Sequence, residues 1–359
     1  MARIVTPSPV ANPGTVMKII HSPRHLGHSG HVELMNGQVV PAFEKPERVA
    51  MILNAIGERP FGTLIEPAAH GLDPLLKVHD AAYVRFLANA WALWTADGRD
   101  FPALPSFWRA PGMRTDIEPE TIDGKLGHFS FDAGCCMVAG TWDAVQAAAD
   151  IALTGVDLVA GGEKTAFALC RPPGHHAHAG TMGGYCFINN AAVAAQSFRD
   201  RGAARVAILD VDYHHGNGTQ AIFYDRPDVL VCNIHADPLQ EFPYFLGYAD
   251  EIGSGAGEGF NANFPLRWGT DYSGWSTALD AACARIDAFG ADVVVVSLGV
   301  DTYKDDPISQ FQLDSPDYLK IGARIAALAR PTLFVMEGGY AVEAIGVNVA
   351  NTLEGFLQR

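Results

Sequence analysis

Residues 206–218 read VAILDVDYHHGNG, an apolar run that ends abruptly in carboxylates and imidazoles. The run is apolar throughout rather than alternating, which is typical of a parallel strand covered on both faces. In an open parallel sheet, ligands bind in the crevice at the carboxyl ends of the strands. The stretch therefore predicts a buried strand of an α/β sheet with a functional site at its end.

Apolar runs of the same kind recur along the chain and are interpreted as five further strands, at 18–22, 166–170, 229–235, 293–298 and 332–336. Segments between them have the spacing of helices and are interpreted as four helices, at 141–153, 190–201, 276–289 and 316–329. This alternation favours a single open, mostly parallel α/β sheet flanked by helices. We find no internal repeat and no linker long enough to divide the sequence.

The composition restricts the partners of the protein. Of its 359 residues, 48% are hydrophobic and 18% are charged, and the formal net charge is −15. A nucleic-acid interface needs clustered Lys and Arg, so this balance argues against one. The negative charge weakly favours cationic ligands, although an acidic surface that serves solubility alone is the alternative.

Three features of the sequence bear on its compartment. The six cysteines show no CxxC spacing and several lie in apolar runs, which predicts buried free thiols in a reducing compartment. No apolar stretch approaches the length of a membrane span, and the first 16 residues lack the form of a signal peptide. We therefore expect a cytoplasmic protein that has no contact with a membrane.

Two segments lie outside the alternation of strands and helices. Residues 1–16 are rich in Pro and small side chains and are expected to be a flexible extension, with Met17 as an alternative start. Residues 94–131 are irregular and contain four prolines together with Trp108. A loop of this length inside a domain is usually functional, as a lid or an interface, and a disordered insertion is the alternative.

Polar clusters follow four of the predicted strands. Six of the 13 histidines fall between 175 and 235, and the segments after the strands are RPPGHHA at 171–177, DVDYHHGNG at 210–218, GVDT at 299–302 and EGGY at 337–340. Four separate stretches thus deliver His, Asp and Tyr to one edge of the sheet.

These clusters contain the residue types of a hydrolytic metal site. Asp212 and His214 share one side of an extended segment, and Asp301 can supply the third ligand of a catalytic zinc with an open position. Each of them alone is better explained as a helix cap or a core hydrogen bond, but together they favour a metal. The pair His175-His176 is the obvious proton acceptor, and Tyr340 could donate to an oxyanion.

At these residues the sequence resembles the histone deacetylase superfamily, and most closely its acetylpolyamine amidohydrolase branch. The resemblance rests on RPPGHHA, GGYCFINN, ILDVDYHHGNGTQ, SLGVDT and MEGGY, which occur in the order of the family, and it runs from about Met17 to the C-terminus. It implies the arginase/deacetylase fold, with one catalytic domain over residues 17–359.

The resemblance also implies a function for each matching residue. Asp212, His214 and Asp301 would bind zinc, although Fe²⁺ suits the same ligands. His176 would be the general base, with Asn217 as its orienting partner, and His175 its electrostatic partner, oriented by Asp210. Tyr340 would polarise the acetyl carbonyl. A structural potassium ion would be bound by Asp210 and by the backbone carbonyls of residues 212 and 214.

The residues implied for substrate binding match the family less closely. Tyr185 and Phe242 resemble the aromatic walls of an acyl-amine tunnel, with ordinary core aromatics as the alternative. Segment 94–131 resembles a loop that pairs across a homodimer and narrows the entrance to slim substrates. Gly134 stands where some members carry an acidic residue, which leaves Glu118 and Asp132 as candidates for binding a distal ammonium group.

The function that follows is deacetylation of small acetylated amines. The expected substrates are acetylputrescine and acetylcadaverine, with longer acetylpolyamines as further candidates. The reaction would use metal-activated water, a histidine base and a tyrosine oxyanion donor. The alternatives are a protein acetyl-lysine deacetylase and a catalytically silent protein that binds acetylated amines. An arginase would need two manganese ions and more ligands, and Tyr340 and the His175-His176 pair argue against it.

Overall fold

An eight-stranded sheet, parallel throughout, forms the centre of the protein. The computed structural model describes residues 16–358. Numbered in chain order, the strands of this sheet are β1 (Met17–Ile20), β4 (Gly62–Ile65), β5 (Thr165–Ala168), β6 (Val206–Asp210), β7 (Val229–Ala236), β8 (Asn261–Leu266), β9 (Val293–Leu298) and β10 (Thr332–Met336). Their spatial order is β4-β1-β5-β10-β9-β6-β7-β8. The predicted α/β class with an open parallel sheet is confirmed.

Helices and one hairpin complete the described part of the chain. Strands β2 (Val32–Met35) and β3 (Gln38–Pro41) form a separate antiparallel pair. The helices are α1 (Glu47–Gly57), α2 (Ala81–Ala96), α3 (Ile122–His128), α4 (Thr141–Ala160), α5 (Asn190–Asp200), α6 (Asn217–Phe223), α7 (Tyr272–Phe289), α8 (Ser315–Ala326) and α9 (Val342–Leu357).

Both faces of the sheet are covered, which explains the unbroken apolar runs. In β9, Val293 and Val295 belong to one hydrophobic core, whereas Val294 and Val296 belong to the core on the opposite face. Strand β10 divides its residues between the two cores in the same way. Because successive side chains of a strand point to opposite faces, an apolar run of this kind has water on neither side.

Several predicted boundaries were wrong for local reasons. Helix α4 continues to Ala160 instead of ending at 153, because Gly155 lets the helix approach β10 closely. A Cβ atom on Gly155 would lie 2.5 Å from a methyl group of Leu333. Helix α7 begins at Tyr272 instead of 276, since the side chain of Asp271 caps it by accepting a hydrogen bond from the Gly274 amide.

The two unusual segments have different outcomes. The predicted extension at 1–16 lies outside the described residues, apart from Val16. Segment 94–131, expected to be irregular throughout, contains the end of α2 and all of α3, and its remaining residues belong to no helix or named strand. The six cysteines are free and buried, as predicted. None of the helices described has the length and apolarity that crossing a membrane requires.

The sheet order brings the predicted site together. Strands β5, β10, β9 and β6 are consecutive neighbours, and all of them point in the same direction. The segments at 171–177, 337–340, 299–302 and 210–218 follow these four strands, so they meet at one edge of the sheet.

Candidate active site

A pocket of about 320 Å³ opens at the carboxyl ends of the central strands. Its floor contains residues from the predicted site and its upper walls come from several loops. The residues that line it are Glu33, Leu34, Met35, Asp132, Ala133, Gly134, His176, Gly184, Tyr185, His214, Glu241, Phe242, Ile308 and Tyr340.

The three predicted metal ligands lie together, and one of them, His214, lines this pocket. Nδ1 of His214 is 3.2 Å from Oδ2 of Asp301 and 3.5 Å from Oδ1 of Asp212. One ligand atom from each residue lies within 4.8 Å of the others, and all three residues are buried. Four-coordinate zinc with bonds of about 2.0–2.1 Å separates its ligand atoms by about 3.3 Å. These distances therefore fit a tetrahedral ion.

The electrostatics of the three ligands also fit a cation. Burial and the neighbouring Asp212 raise the pKa of Asp301 to about 7. Although burial opposes a charge on His214, its hydrogen bonds to Asp212 and Asp301 raise its pKa well above the ordinary value. Asp212 and Asp301 are thus two buried carboxylates with too little positive charge around them to balance both. A divalent cation would neutralise the two groups.

Glycines allow the carboxylates to approach the backbone. A Cβ atom on Gly338 would lie 2.3 Å from the Asp301 carboxylate and 2.6 Å from that of Asp212. A Cβ atom on Gly299 would lie 2.0 Å from Asp212. The Gly338 amide donates to Oδ2 of Asp212 at 2.8 Å, so the EGGY segment holds a metal ligand as well as preceding Tyr340.

A second histidine cluster in the described residues is less suited to a metal. His28, His31 and Glu44 also place one ligand atom each within 4.8 Å of one another. However, Glu44 accepts hydrogen bonds from Arg48 at 2.9 Å and from Arg171 at 2.7 Å. A metal ion there would lie beside two guanidinium groups that already neutralise the carboxylate.

The histidine pair has a distinct partner for each ring. Nδ1 of His175 is 3.1 Å from Oδ2 of Asp210, and Nδ1 of His176 is 2.6 Å from Oδ1 of Asn217. Burial opposes a charge on His175, but Asp212 and Asp210 raise its pKa to about 10. Burial and the charges of His175 and His214 hold the pKa of His176 well below the ordinary value. The pair therefore contains one charged and one neutral imidazole, and of these two rings only that of His176 lines the pocket.

Tyr340 is held by two charged residues that the sequence analysis did not identify. The Tyr340 amide donates to Oδ2 of Asp306 at 2.7 Å, and the guanidinium of Arg48 lies 4.9 Å from the centre of the phenol ring. Arg48 also donates to the carbonyl oxygens of Gly339 at 2.6 Å and Glu337 at 2.5 Å. Burial raises the pKa of Tyr340 well above its ordinary value, so the hydroxyl remains a donor.

The predicted aromatic walls both line the pocket. The Tyr185 ring centre is 5.6 Å from that of Tyr340, and the Phe242 ring stands edge-on to His176 at 5.1 Å. Asp132 lines the pocket too, and its carboxylate accepts hydrogen bonds from the amides of Gly134 and Gly184 at 2.8 and 2.9 Å. Burial raises the pKa of Asp132 to about 6.

Glu118 lies outside the pocket of its own chain. It is not among the residues lining the pocket, and its carboxylate pairs with Lys125 and lies 3.8 Å from Arg85. Gly134, predicted to lack a contact made by other members, does line the pocket. A contact between Glu118 and a substrate would therefore have to come from another copy of the chain.

Two acidic residues of the pocket were missed. Glu33 comes from the β2–β3 hairpin, and its carboxylate accepts a hydrogen bond from the Tyr185 hydroxyl. Glu241 precedes Phe242 and accepts a hydrogen bond from the Tyr213 hydroxyl at 2.8 Å. Alternation in VELM, with Glu33 between two apolar residues, was the available signal for a hairpin strand, but nothing local indicates its contact with Tyr185.

One buried side chain beside Asp210 lacks partners. Asn233 is paired with Asp210 in the register of β6 and β7, and neither polar atom of its amide has a hydrogen-bond partner among the described residues. Buried amides are nearly always satisfied. The unsatisfied Asn233 oxygen and the Asp210 carboxylate are the hard oxygen ligands that a monovalent cation prefers.

Comparison with known proteins shows which proteins the chain is similar to. Residues 42–356 match the histone deacetylase domain. The chain is 57% identical over 340 residues to acetylpolyamine amidohydrolase 2 of Pseudomonas aeruginosa, covering 95% of this chain and 98% of the relative. It is 52% identical over 340 residues to acetylpolyamine amidohydrolase of Mycoplana ramosa, covering 94% and 99%. A crystal structure of acetylpolyamine aminohydrolase from Burkholderia pseudomallei matches with a TM-score of 0.90 at 37% identity, covering 95% of this chain and 98% of that one.

Proposed function

Because this chain belongs to the histone deacetylase superfamily, in its acetylpolyamine amidohydrolase branch, we propose that it removes the acetyl group from small acetylated amines. As a member of that branch, the chain is a hydrolase that acts on amide bonds. The observation that carries the proposal is that His176 and Tyr340 line one pocket together with His214, whose ring clusters with the carboxylates of Asp212 and Asp301. We infer acetylputrescine and acetylcadaverine as substrates, with longer acetylpolyamines as further candidates.

A divalent cation would be held by Asp212, His214 and Asp301. Zn²⁺ and Fe²⁺ both suit one imidazole and two carboxylates. When bound, the cation would polarise the acetyl carbonyl and lower the pKa of water beside it. Two carboxylates neutralise most of its charge, so a separate base is still needed.

His176 is the base in this mechanism. Its Nδ1–H donates to Oδ1 of Asn217, which leaves Nε2 unprotonated and able to accept a proton from water. The pKa of His176 is lowered by burial and by the charged His175, so the ring is neutral before the reaction starts and its single proton is on Nδ1. After attack on the carbonyl, His176 returns the proton to the departing amine, which leaves as a neutral amine or, once protonated in water, as an ammonium ion.

Tyr340 stabilises the negative charge that develops on the acetyl oxygen. Its phenol stays protonated in the buried site and can donate a hydrogen bond to that oxygen. The backbone bonds to Asp306 and the stacking on Arg48 fix the ring before the substrate arrives. Such preorganised donors supply a large part of the rate enhancement in acyl transfer.

The acidic groups of the pocket favour a cationic substrate. Glu33, Asp132 and Glu241 line it, and no lysine or arginine does so among the residues described. A linear amine with a second, charged amino group would place that group near these carboxylates, while Tyr185 and Phe242 would flank its methylene chain. This arrangement favours acetylated diamines over neutral amides of the same length.

We also propose a bound potassium ion and a homodimer, both of which the family resemblance implies. A potassium ion would be bound beside Asp210, where the unsatisfied amide of Asn233 supports it. The chain would form a homodimer through segment 94–131, which exposes Phe107, Met113 and Ile117. Apolar side chains exposed to this extent are typical of interfaces when they lie close together.

Acetate release from a panel of acetylated amines tests the proposal. Protein loaded with one known metal ion should hydrolyse acetylputrescine and acetylcadaverine. The variants Tyr340→Phe and His176→Ala should both lose most of this activity. Wild-type turnover in both variants would contradict the mechanism. An acetyl-lysine peptide in the same panel separates the alternatives, because faster turnover of the peptide would indicate a protein deacetylase.

A further inference from the structure

The side chain of Asn217 lies between two imidazole rings. Its Oδ1 is 2.6 Å from Nδ1 of His176, and its Nδ2 is 2.9 Å from Nε2 of His178. These are the only two hydrogen bonds of this amide within residues 16–358, and Asn217 is buried. The orientation of the amide therefore depends on its two histidine partners.

The Asn217 amide can take two orientations, and each of them matches a different tautomer of His176. With Oδ1 toward His176, the base must carry its proton on Nδ1, and Nε2 is free to accept a proton from water. With the amide reversed, Nδ2 would face His176, which would then need an unprotonated Nδ1 and would carry its proton on Nε2. The second tautomer cannot act as the base at Nε2.

His178 distinguishes between these orientations. If its Nε2 has no proton, that atom can only accept, so it matches the Asn217 NH₂ group and opposes the carbonyl oxygen. Burial lowers the pKa of His178 to about 4, so the ring is neutral near pH 7. A neutral ring has its proton on one of two nitrogens, and the 2.9 Å contact of His178 Nε2 with the Asn217 NH₂ group requires that proton to be on Nδ1 of His178.

The backbone around His178 is well fixed. The His178 amide donates to the Thr181 carbonyl at 2.9 Å, and its own carbonyl oxygen is 3.0 Å from Nδ1 of His79. The ring lies against Phe131 at 5.6 Å between ring centres. The other side of the residue borders a second cavity of about 420 Å³, so the ring can be replaced without rebuilding the core.

We propose that His178 is a positioning residue, which sets the orientation of the Asn217 amide and thereby keeps the proton of His176 on Nδ1. This inference rests on the proposed function, since it concerns the base of that reaction. His178 does not line the active-site pocket and acts only through Asn217. None of the motifs used in the sequence analysis assigns it a function.

A double-mutant cycle tests whether His178 acts through Asn217. In the zinc-loaded protein, His178→Leu keeps a similar volume without an acceptor, and kcat for acetylputrescine should fall about tenfold with little change in KM. His178→Gln, whose terminal oxygen can accept the same bond, should retain kcat within about threefold. In an Asn217→Ala background, His178→Leu should cause no further loss beyond about twofold.

The control is a second histidine of the same cavity. His128 borders this cavity but makes no hydrogen bond to Asn217, so His128→Ala should leave kcat within about twofold of the wild type. An equal loss from His178→Leu in the wild-type and Asn217→Ala backgrounds would overturn the proposal. So would wild-type kcat in His178→Leu.

The tautomer can be measured without substrate. In the zinc-loaded protein labelled with ¹⁵N-histidine, the Nδ1 signal of His176 should have the shift of a protonated ring nitrogen. It should move toward the unprotonated value in His178→Leu and stay in place in His178→Gln, with His176→Ala providing the assignment. An unchanged signal in His178→Leu would overturn the proposal. Failure of the proposed function would instead appear as absence of acetate release by the wild type, which leaves this measurement intact.

Discussion

Replacing Arg48 by methionine is expected to destabilise the folded protein and to lower its kcat. The guanidinium is buried and joins helix α1 to the segment that precedes Tyr340. Its donors reach the carbonyl oxygens of Gly339 and Glu337 at 2.6 and 2.5 Å, and Glu44 at 2.9 Å. Methionine fills similar space but has no donor, so these acceptors lose a partner.

The expected loss in the free energy of unfolding follows from the polar groups that remain buried without a partner. Each carbonyl oxygen left without a donor costs about 1–3 kcal/mol. Glu44 keeps its bond from Arg171 at 2.7 Å, so no isolated charge remains. The free energy of unfolding should therefore fall by about 2–6 kcal/mol, a large share of the about 5–15 kcal/mol typical of native proteins.

Urea unfolding of the zinc-loaded protein, followed by tryptophan fluorescence, measures this loss. Arg59→Met is the matched control, because Arg59 and its partner Glu354 are 24% and 37% exposed, and such a pair contributes about 1 kcal/mol or less. Below the unfolding transition, Arg48→Met should also reduce kcat, since the freed Gly339 carbonyl no longer fixes Tyr340. Equal unfolding midpoints for the two variants would refute the reasoning.

Four other outcomes are expected. Tyr340→Phe should lower kcat for acetylputrescine by about 10²–10³-fold with little change in KM, because only the oxyanion contact is lost; steady-state kinetics measure it. Gly338→Ala should lower metal content measured by mass spectrometry, because its Cβ would displace two carboxylates, while Gly57→Ala, whose Cβ meets nothing within 4 Å, should not. Glu33→Gln should raise KM for acetylputrescine about three- to tenfold without affecting a neutral acetamide, because it removes charge and keeps the shape. Chelation should abolish acetate release and lower the thermal midpoint, since Asp212 and Asp301 then repel, and Zn²⁺ should restore both.

The centre of the fold was predictable because its sequence signal is local. Strands β6, β9 and β10 are buried on both faces, so each appears as a largely apolar run that leads within three residues to a carboxylate. The edge strands were missed because they lack this signal. Strand β4 has only four residues, all partly or fully exposed, and β8 contains Pro265, which an edge strand tolerates.

The part of the site that depends on distant contacts was not predictable. Arg48 and Glu33 contact residues 291 and 152 positions away along the chain, and no spacing rule connects them. Asp212 and His214, by contrast, are two residues apart directly after β6, a spacing that predicts a shared side, and their Oδ1 and Nδ1 atoms lie 3.5 Å apart in the structure. The contacts of Glu118 with Lys125 and Arg85 likewise depend on how segment 94–131 folds, which its irregular sequence does not specify.

The position of β10 has a consequence for synthesis of the protein. Among the described strands, β10 is synthesised after all the others, yet it lies between β5 and β9 in the interior of the sheet. Until it is added, the nascent polypeptide has two half-sheets whose facing edges are unpaired, a state prone to aggregation. Insertion of this strand closes the gap and delivers the segment with Gly338 and Tyr340, so we expect the proposed cation to be bound only after this strand has been inserted.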